Sequence, residues 1–149
     1  GLLLSRQNLR TVDRSTHGAA SGVDKGAYIL KDASTAPRVV IVATGSEVGI
    51  ALDAQISLEA DGIATRVVSA PCLEWFNEQT ESYRSSVIPT TALRVSVEAG
   101  IAQGWREYVG DKGIVISLDH FGASAGAGKL FAEFGFSAER IVGEIKKAL

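Results

Sequence analysis

The chain has 149 residues, the size of one ordinary domain, with 46% apolar residues, 21% charged residues and a formal net charge of −2. That near balance speaks against nucleic-acid binding, which shows a strong basic excess, and no stretch approaches the roughly 20 unbroken apolar residues of a membrane span. A single cysteine, Cys72, excludes an internal disulfide framework and fits a reducing cytosol, and with only two histidines a tetrahedral zinc site is hard to assemble.

Methionine is absent, even at position 1. Gly1-Leu2-Leu3-Leu4 lacks the basic flank and apolar core of a signal peptide and reads as the end of a buried strand. The chain is therefore expected to be a piece of a longer polypeptide. Residues 1–26 read as an arm without helical or strand periodicity, marked by Arg6, Arg10 and Arg14 and ending in a run of small residues. Residues 1–38 hold six bases and three acids, so positive charge collects at this end. The arginines are either solvated linker residues or, in at least one case, ligands of an anion.

From Gly26 the pattern becomes regular. Residues 27–30 and the β-branched run 38–43 are strands, the second covered on both faces. Thr44-Gly45-Ser46-Glu47 turns the chain into a helix reaching about Ala60, and Thr44 and Glu47 have capping-box spacing. Val48, Ala51, Leu52 and Leu58 form its inner stripe, and Gly62 suits its stop. Residues 63–69 are the next strand, 72–86 short helices, 93–97 and 114–118 strands, with a short helix around Trp105 between them. A helix over 127–134 turns Leu130, Phe131 and Phe134 inward and stops at Gly135. Ser137 caps a last helix with Ile141, Val142, Ile145 and Leu149 on one face. Alternating strands and helices make an α/β domain with a largely parallel sheet and helices on both sides. Ligands of such sheets favour the carboxyl ends of the strands where strand order reverses. The turns at 44–46 and 98–100 are the candidates.

Gly122-Ala123-Ser124-Ala125-Gly126 matches the G-x-S-x-G of a nucleophile elbow, with Asp119-His120 just before it. An elbow serine sits directly off its strand and its histidine follows it in the chain; Ser124 meets neither condition, and a small-residue loop is the better reading. Thr44–Ser46 could cradle an anion on backbone N–H groups, but lacks a lysine and carries Glu47, so capping is the better reading there. Glu98 is a candidate base or interdomain contact without an evident partner. Cys72 is expected to be a buried small hydrophobe, and Trp75, Phe76 and Trp105 core or interface residues. In Ser5-Arg6-Gln7-Asn8, the Arg6 guanidinium offers a planar fork that matches phosphate oxygens, with further donors beside it.

Leu3-Leu4-Ser5-Arg6-Gln7-Asn8-Leu9 resembles the L-S-R-Q-N-L segment of transketolases. Gly26–Tyr28, Ala43–Val48, Arg66–Ser69, Val97–Gly100, Gly104-Trp105 with Tyr108–Gly110, Phe121–Ala125 and Phe134–Phe136 extend the resemblance in family order over nearly the whole chain. Arg10 and Gly126 depart from it, each standing where the family has proline. Sister thiamin enzymes, deoxyxylulose-phosphate synthases and 2-oxoacid dehydrogenase β subunits, share the same kind of third domain. A free-standing anion-binding module is the alternative from another class.

The resemblance implies a three-layer α/β/α fold with a five-stranded, mostly parallel mixed sheet whose first strand is antiparallel. Residues 1–26 would be the end of a preceding pyrimidine-binding domain and its linker arm, and 27–149 the C-terminal domain. The enzyme implied is a cytoplasmic homodimer of the pentose phosphate pathway. It moves a two-carbon ketol unit from a ketose phosphate to an aldose phosphate, with thiamin diphosphate as electron sink and Mg2+ or Ca2+ beside it. Both cofactors would be bound by domains outside these residues, so the chain alone would bind neither and lack activity. By the same resemblance Arg6 contacts the substrate phosphate. No catalytic, cofactor or metal ligand is carried over, and His17 and His120 take none of these roles.

Overall fold

The computed structural model describes residue 1 and residues 4–149. The expected strand end at Gly1–Leu4 falls partly on Leu2 and Leu3, outside the described residues; Leu4 is 80% exposed. The arm closes in a short 3-10 helix, Ala20–Lys25, which its small, aperiodic residues gave no sign of.

Five strands follow: β1 (Tyr28–Lys31), β2 (Val39–Ala43), β3 (Thr65–Ser69), β4 (Leu93–Val97) and β5 (Ile114–Ile116). They form one sheet in the order β1-β3-β2-β4-β5. β1 runs antiparallel to β3 and every other pairing is parallel. The register slips between Ile29 and Lys31, a bulge at the antiparallel edge. β5 ends two residues earlier than the apolar run suggests. Leu118 still packs on the core, but its N–H goes to Gly100 O (2.8 Å) and ties two loops together instead of extending the ladder.

β2 is buried at every residue, as its unbroken β-branched run requires. Its side chains alternate between two cores. Val39, Ile41 and Ala43 face α1 (Glu47–Ala60), α5 (Ala127–Phe134) and α6 (Ala138–Ala148). Val40 and Val42 face α2 (Leu73–Asn77), α3 (Glu81–Val87) and α4 (Trp105–Val109). The result is three layers, helices over sheet over helices, as expected.

Local chemistry sets the helix ends. Ser137 Oγ accepts from Arg140 N–H (3.2 Å), the cap read from the sequence. Gly135 ends α5 in the left-handed region, where a side chain would be strained. Ile141 and Ile145 are fully buried, whereas Leu149, one turn past the last core contact, is half exposed. Phe76 and Trp105 are buried, Trp75 is half exposed, and Cys72 is half-buried with its Sγ facing Glu74.

Candidate functional site

β2 has β3 on one side and β4 on the other, so the chain turns opposite ways after β2 and after β3. The carboxyl ends of β2 and β4 therefore frame the switch-point crevice of the sheet. Thr44 and Glu98 stand there, each one residue beyond its strand. The Thr44 hydroxyl donates to Glu98 Oε2, a contact across 54 positions of sequence.

This corrects the capping-box reading. α1 starts at Glu47, so Glu47 is the first helical residue and not the third. Ser46 occupies the cap position without a side-chain cap bond, and the Thr44 side chain is taken by Glu98. Glu47 turns inward instead, 3% exposed, and accepts from Ser46 Oγ at 2.8 Å. Burial raises its carboxyl above the ordinary range, against hydrogen bonds from Ser46 and from the backbone N–H groups of Glu47 and Ala99. Glu98 is pushed up to about 7, first by burial and second by the charge of Glu47. The two carboxyls thus lie near one another, and both are raised chiefly by burial. They occupy the two turns marked in the sequence as crevice candidates, but nothing local reveals that the turns meet.

Arg6 and Gln7 reach this crevice from the arm. With Glu47, Ala99, Phe131 and Phe134 they line a cleft of about 240 Å3. The three arm arginines have different fates. Arg10 Nη1 pairs with Asp53 Oδ1 at 3.0 Å, laying the arm along α1. Arg14 Nη1 donates to Gly18 O (2.8 Å) and Tyr28 Oη (3.1 Å). Arg6 is exposed and enters no ion pair among the described residues. Of the three arm arginines, it is the one that no ion pair among the described residues engages and no other arm or domain group holds by a side-chain hydrogen bond there.

The remaining candidates do not assemble. Ser124 is exposed, and His120 directs Nδ1 to Phe121 O (2.8 Å) with its ring edge-to-face against Phe134. His17 Nδ1 is occupied within the arm by Asp13 O and the Thr16 hydroxyl. Among the described residues no three His, Cys, Asp or Glu side chains gather as a metal site needs. The described residues therefore offer no set of donors for a divalent metal. No helix among them is long and apolar enough to cross a membrane.

Comparison with known proteins fits this architecture. Residues 26–137 match the family model of the transketolase-like TK C-terminal domain. The transketolase of Aquifex aeolicus is 48% identical over 145 residues, 97% of this chain and 21% of the relative. A Pichia stipitis transketolase in complex with sedoheptulose 7-phosphate superposes with a TM-score of 0.85 at 36% identity, over 96% of this chain and 20% of that one. A split-gene transketolase described as an inactive β4 tetramer superposes with a TM-score of 0.65 at 25% identity, over 85% of this chain and 43% of that one. The chain thus spans about a fifth of the length of the curated transketolase it matches. By sequence and by fold, this chain belongs to the transketolase-like C-terminal domain family.

Proposed function

We propose that the chain works as the carboxyl-terminal part of a transketolase, an enzyme that moves a two-carbon ketol unit between sugar phosphates. Residues 1–26 would end the preceding pyrimidine-binding domain and link it onward, and residues 27–149 would form the C-terminal domain. Thiamin diphosphate and its divalent metal would be held by parts of the enzyme beyond these residues, in a cytoplasmic homodimer.

Within that reading Arg6 binds the substrate phosphate. The observation that carries it is the position of Arg6: exposed at the crevice and outside every ion pair among the described residues, while Arg10 and Arg14 are engaged by the domain itself. A guanidinium fork matches a phosphate in charge and geometry. Held there, the phosphate would position a sugar whose reacting carbon lies elsewhere, so that remote binding energy orients the chemistry. The Pichia stipitis neighbour was solved with a sugar phosphate, which agrees in substrate class.

The 149 residues alone are then a folded but inactive part. The split-gene relative described as inactive is a precedent. The test is a ketol-transfer assay on the isolated chain with thiamin diphosphate and Mg2+ added. No turnover is expected alone, and activity is expected when the upstream domains are supplied. Turnover by the chain alone would overturn this reading.

A further inference from the structure

The layer of helices remote from α1 holds a pair of arginines that the function above does not use. Arg84 on α3 and Arg94 on β4 both line a cavity of about 200 Å3 between α3 and α4, together with Asn77 and Tyr108. Arg94 lies at the amino end of β4, roughly 13 Å along the strand from Glu98, so this cavity is separate from the Arg6 cleft.

The two arginines are poorly neutralised. None of the four ion pairs among the described residues includes either one. Their neighbour Arg66 has Asp32 at 2.7 Å, which shows how the fold treats a buried arginine it needs only for structure. Arg94 is held in place instead. Its Nη1 donates to Tyr108 O (2.9 Å), and its Nη2 lies against Gly110, where a Cβ would come within 2.5 Å of it. Arg84 Nε is closed off from solvent and has no hydrogen-bond partner, so it is the Nη groups of Arg84 that would meet a ligand in the cavity. Asn77 Nδ2 donates to Tyr108 Oη (2.9 Å), which leaves the phenol proton free to be given to a ligand. Glu81 and Glu107 line the same cavity, but neither closes an ion pair with these arginines among the described residues.

Two guanidinium groups outside every ion pair among the described residues, one of them preset, and a phenol proton offer donors that match an oxyanion. We propose that the α3–α4 cavity is a second anion site, taking the phosphate group of a small phosphorylated metabolite through Arg84, Arg94 and Tyr108. A tetrahedral dianion answers two cations better than a monovalent carboxylate does. The site stands apart from the crevice and does not depend on the role given to Arg6.

The test is calorimetric titration of inorganic phosphate into the native polypeptide carrying an Arg6→Gln substitution, which removes the crevice arginine. Saturable binding is expected, with acetate binding more weakly than phosphate. A pentose 5-phosphate used as a parallel probe separates free phosphate from a phosphate ester as the better occupant; the proposal requires the ester to bind at least as tightly. Arg84→Gln should weaken binding about tenfold, the loss of one charge-assisted hydrogen bond. Tyr108→Phe should weaken it less, with the ring packing kept. Arg84 makes no side-chain bond that the fold needs, so the melting temperature without phosphate should be unchanged in Arg84→Gln. No saturable binding, binding indifferent to Arg84→Gln, acetate binding as tightly as phosphate, or an ester that binds more weakly than free phosphate would each overturn the proposal.

Discussion

Thr44 donates its hydroxyl to Glu98 across the crevice between β2 and β4, and the buried Glu47 carboxyl lies close enough to raise the pKa of Glu98. A carboxyl at about 7 in the folded chain and near 4.5 in the unfolded one binds its proton more tightly when folded. Its contribution therefore favours the folded state at low pH and is lost as pH rises from about 4.5 through 7. Glu47, also raised, acts in the same direction. Urea midpoints at pH 5 and pH 8 should show wild type losing stability with rising pH, and Glu98→Gln removing most of that slope. An unchanged slope in Glu98→Gln would contradict the assignment.

Arg66 and Asp32 show the opposite sign. Arg66 is nearly buried and donates to both Asp32 oxygens and to Ser86 O and Val87 O at the end of α3. Burial pushes the Asp32 carboxyl up, but the hydrogen bond and charge of Arg66, with the Ala33 N–H, hold it below its ordinary value. That stability is present above the unfolded carboxylate range and lost as pH falls through the lowered folded value. Arg66→Ala should cost about 3 kcal/mol in denaturant unfolding, because it strands the buried Val87 carbonyl, loses the bond to Ser86 O and breaks the pair. Asp32→Asn should flatten the acid limb of the stability profile.

Gly26 and Gly62 both sit at positive φ, but only Gly26 is crowded. A Cβ there would collide with Cys72 O and Phe76 N, whereas Gly62 faces open space. Gly26→Ala should cost about 3 kcal/mol, strain plus overpacking, and Gly62→Ala only about 1. Equal shifts in melting temperature would mean that the close approach at Gly26 does not matter.

Much of the fold was legible because its signals are local. The run Val39–Ala43 needs cover on both faces, and the Ser137 cap and Gly135 stop act on their own neighbours. Tertiary choices were not legible. Thr44 and Glu47 have box spacing, yet Thr44 bonds to a residue 54 positions away and Glu47 turns into the crevice. Trp75 reads as core or interface, and its half exposure removes it from the core, because the turn of α2 that buries Phe76 carries its neighbour outward. The Arg84–Arg94 cavity had no signal at all, since two arginines ten positions apart meet only through the packing of α3 and α4 on the sheet.

Ser124 is exposed and His120 is engaged with Phe121 and Phe134, so the G-x-S-x-G match carries no nucleophile. A fluorophosphonate probe should leave Ser124 unlabelled, with the same adduct pattern in Ser124→Ala. Labelling at Ser124 that depends on His120 would revive a hydrolase.

The role proposed for Arg6 is to meet the phosphate of a sugar substrate. Its most direct measurement is the KM of the native polypeptide for a phosphorylated acceptor and for its unphosphorylated counterpart, in wild type and Arg6→Ala. Losing a charge-assisted contact should raise KM for the phosphorylated sugar about 10- to 100-fold. KM for the unphosphorylated sugar should stay within about twofold of wild type, because that sugar never made the contact. An equal rise for both sugars would contradict the account and remove Arg6 from the phosphate site.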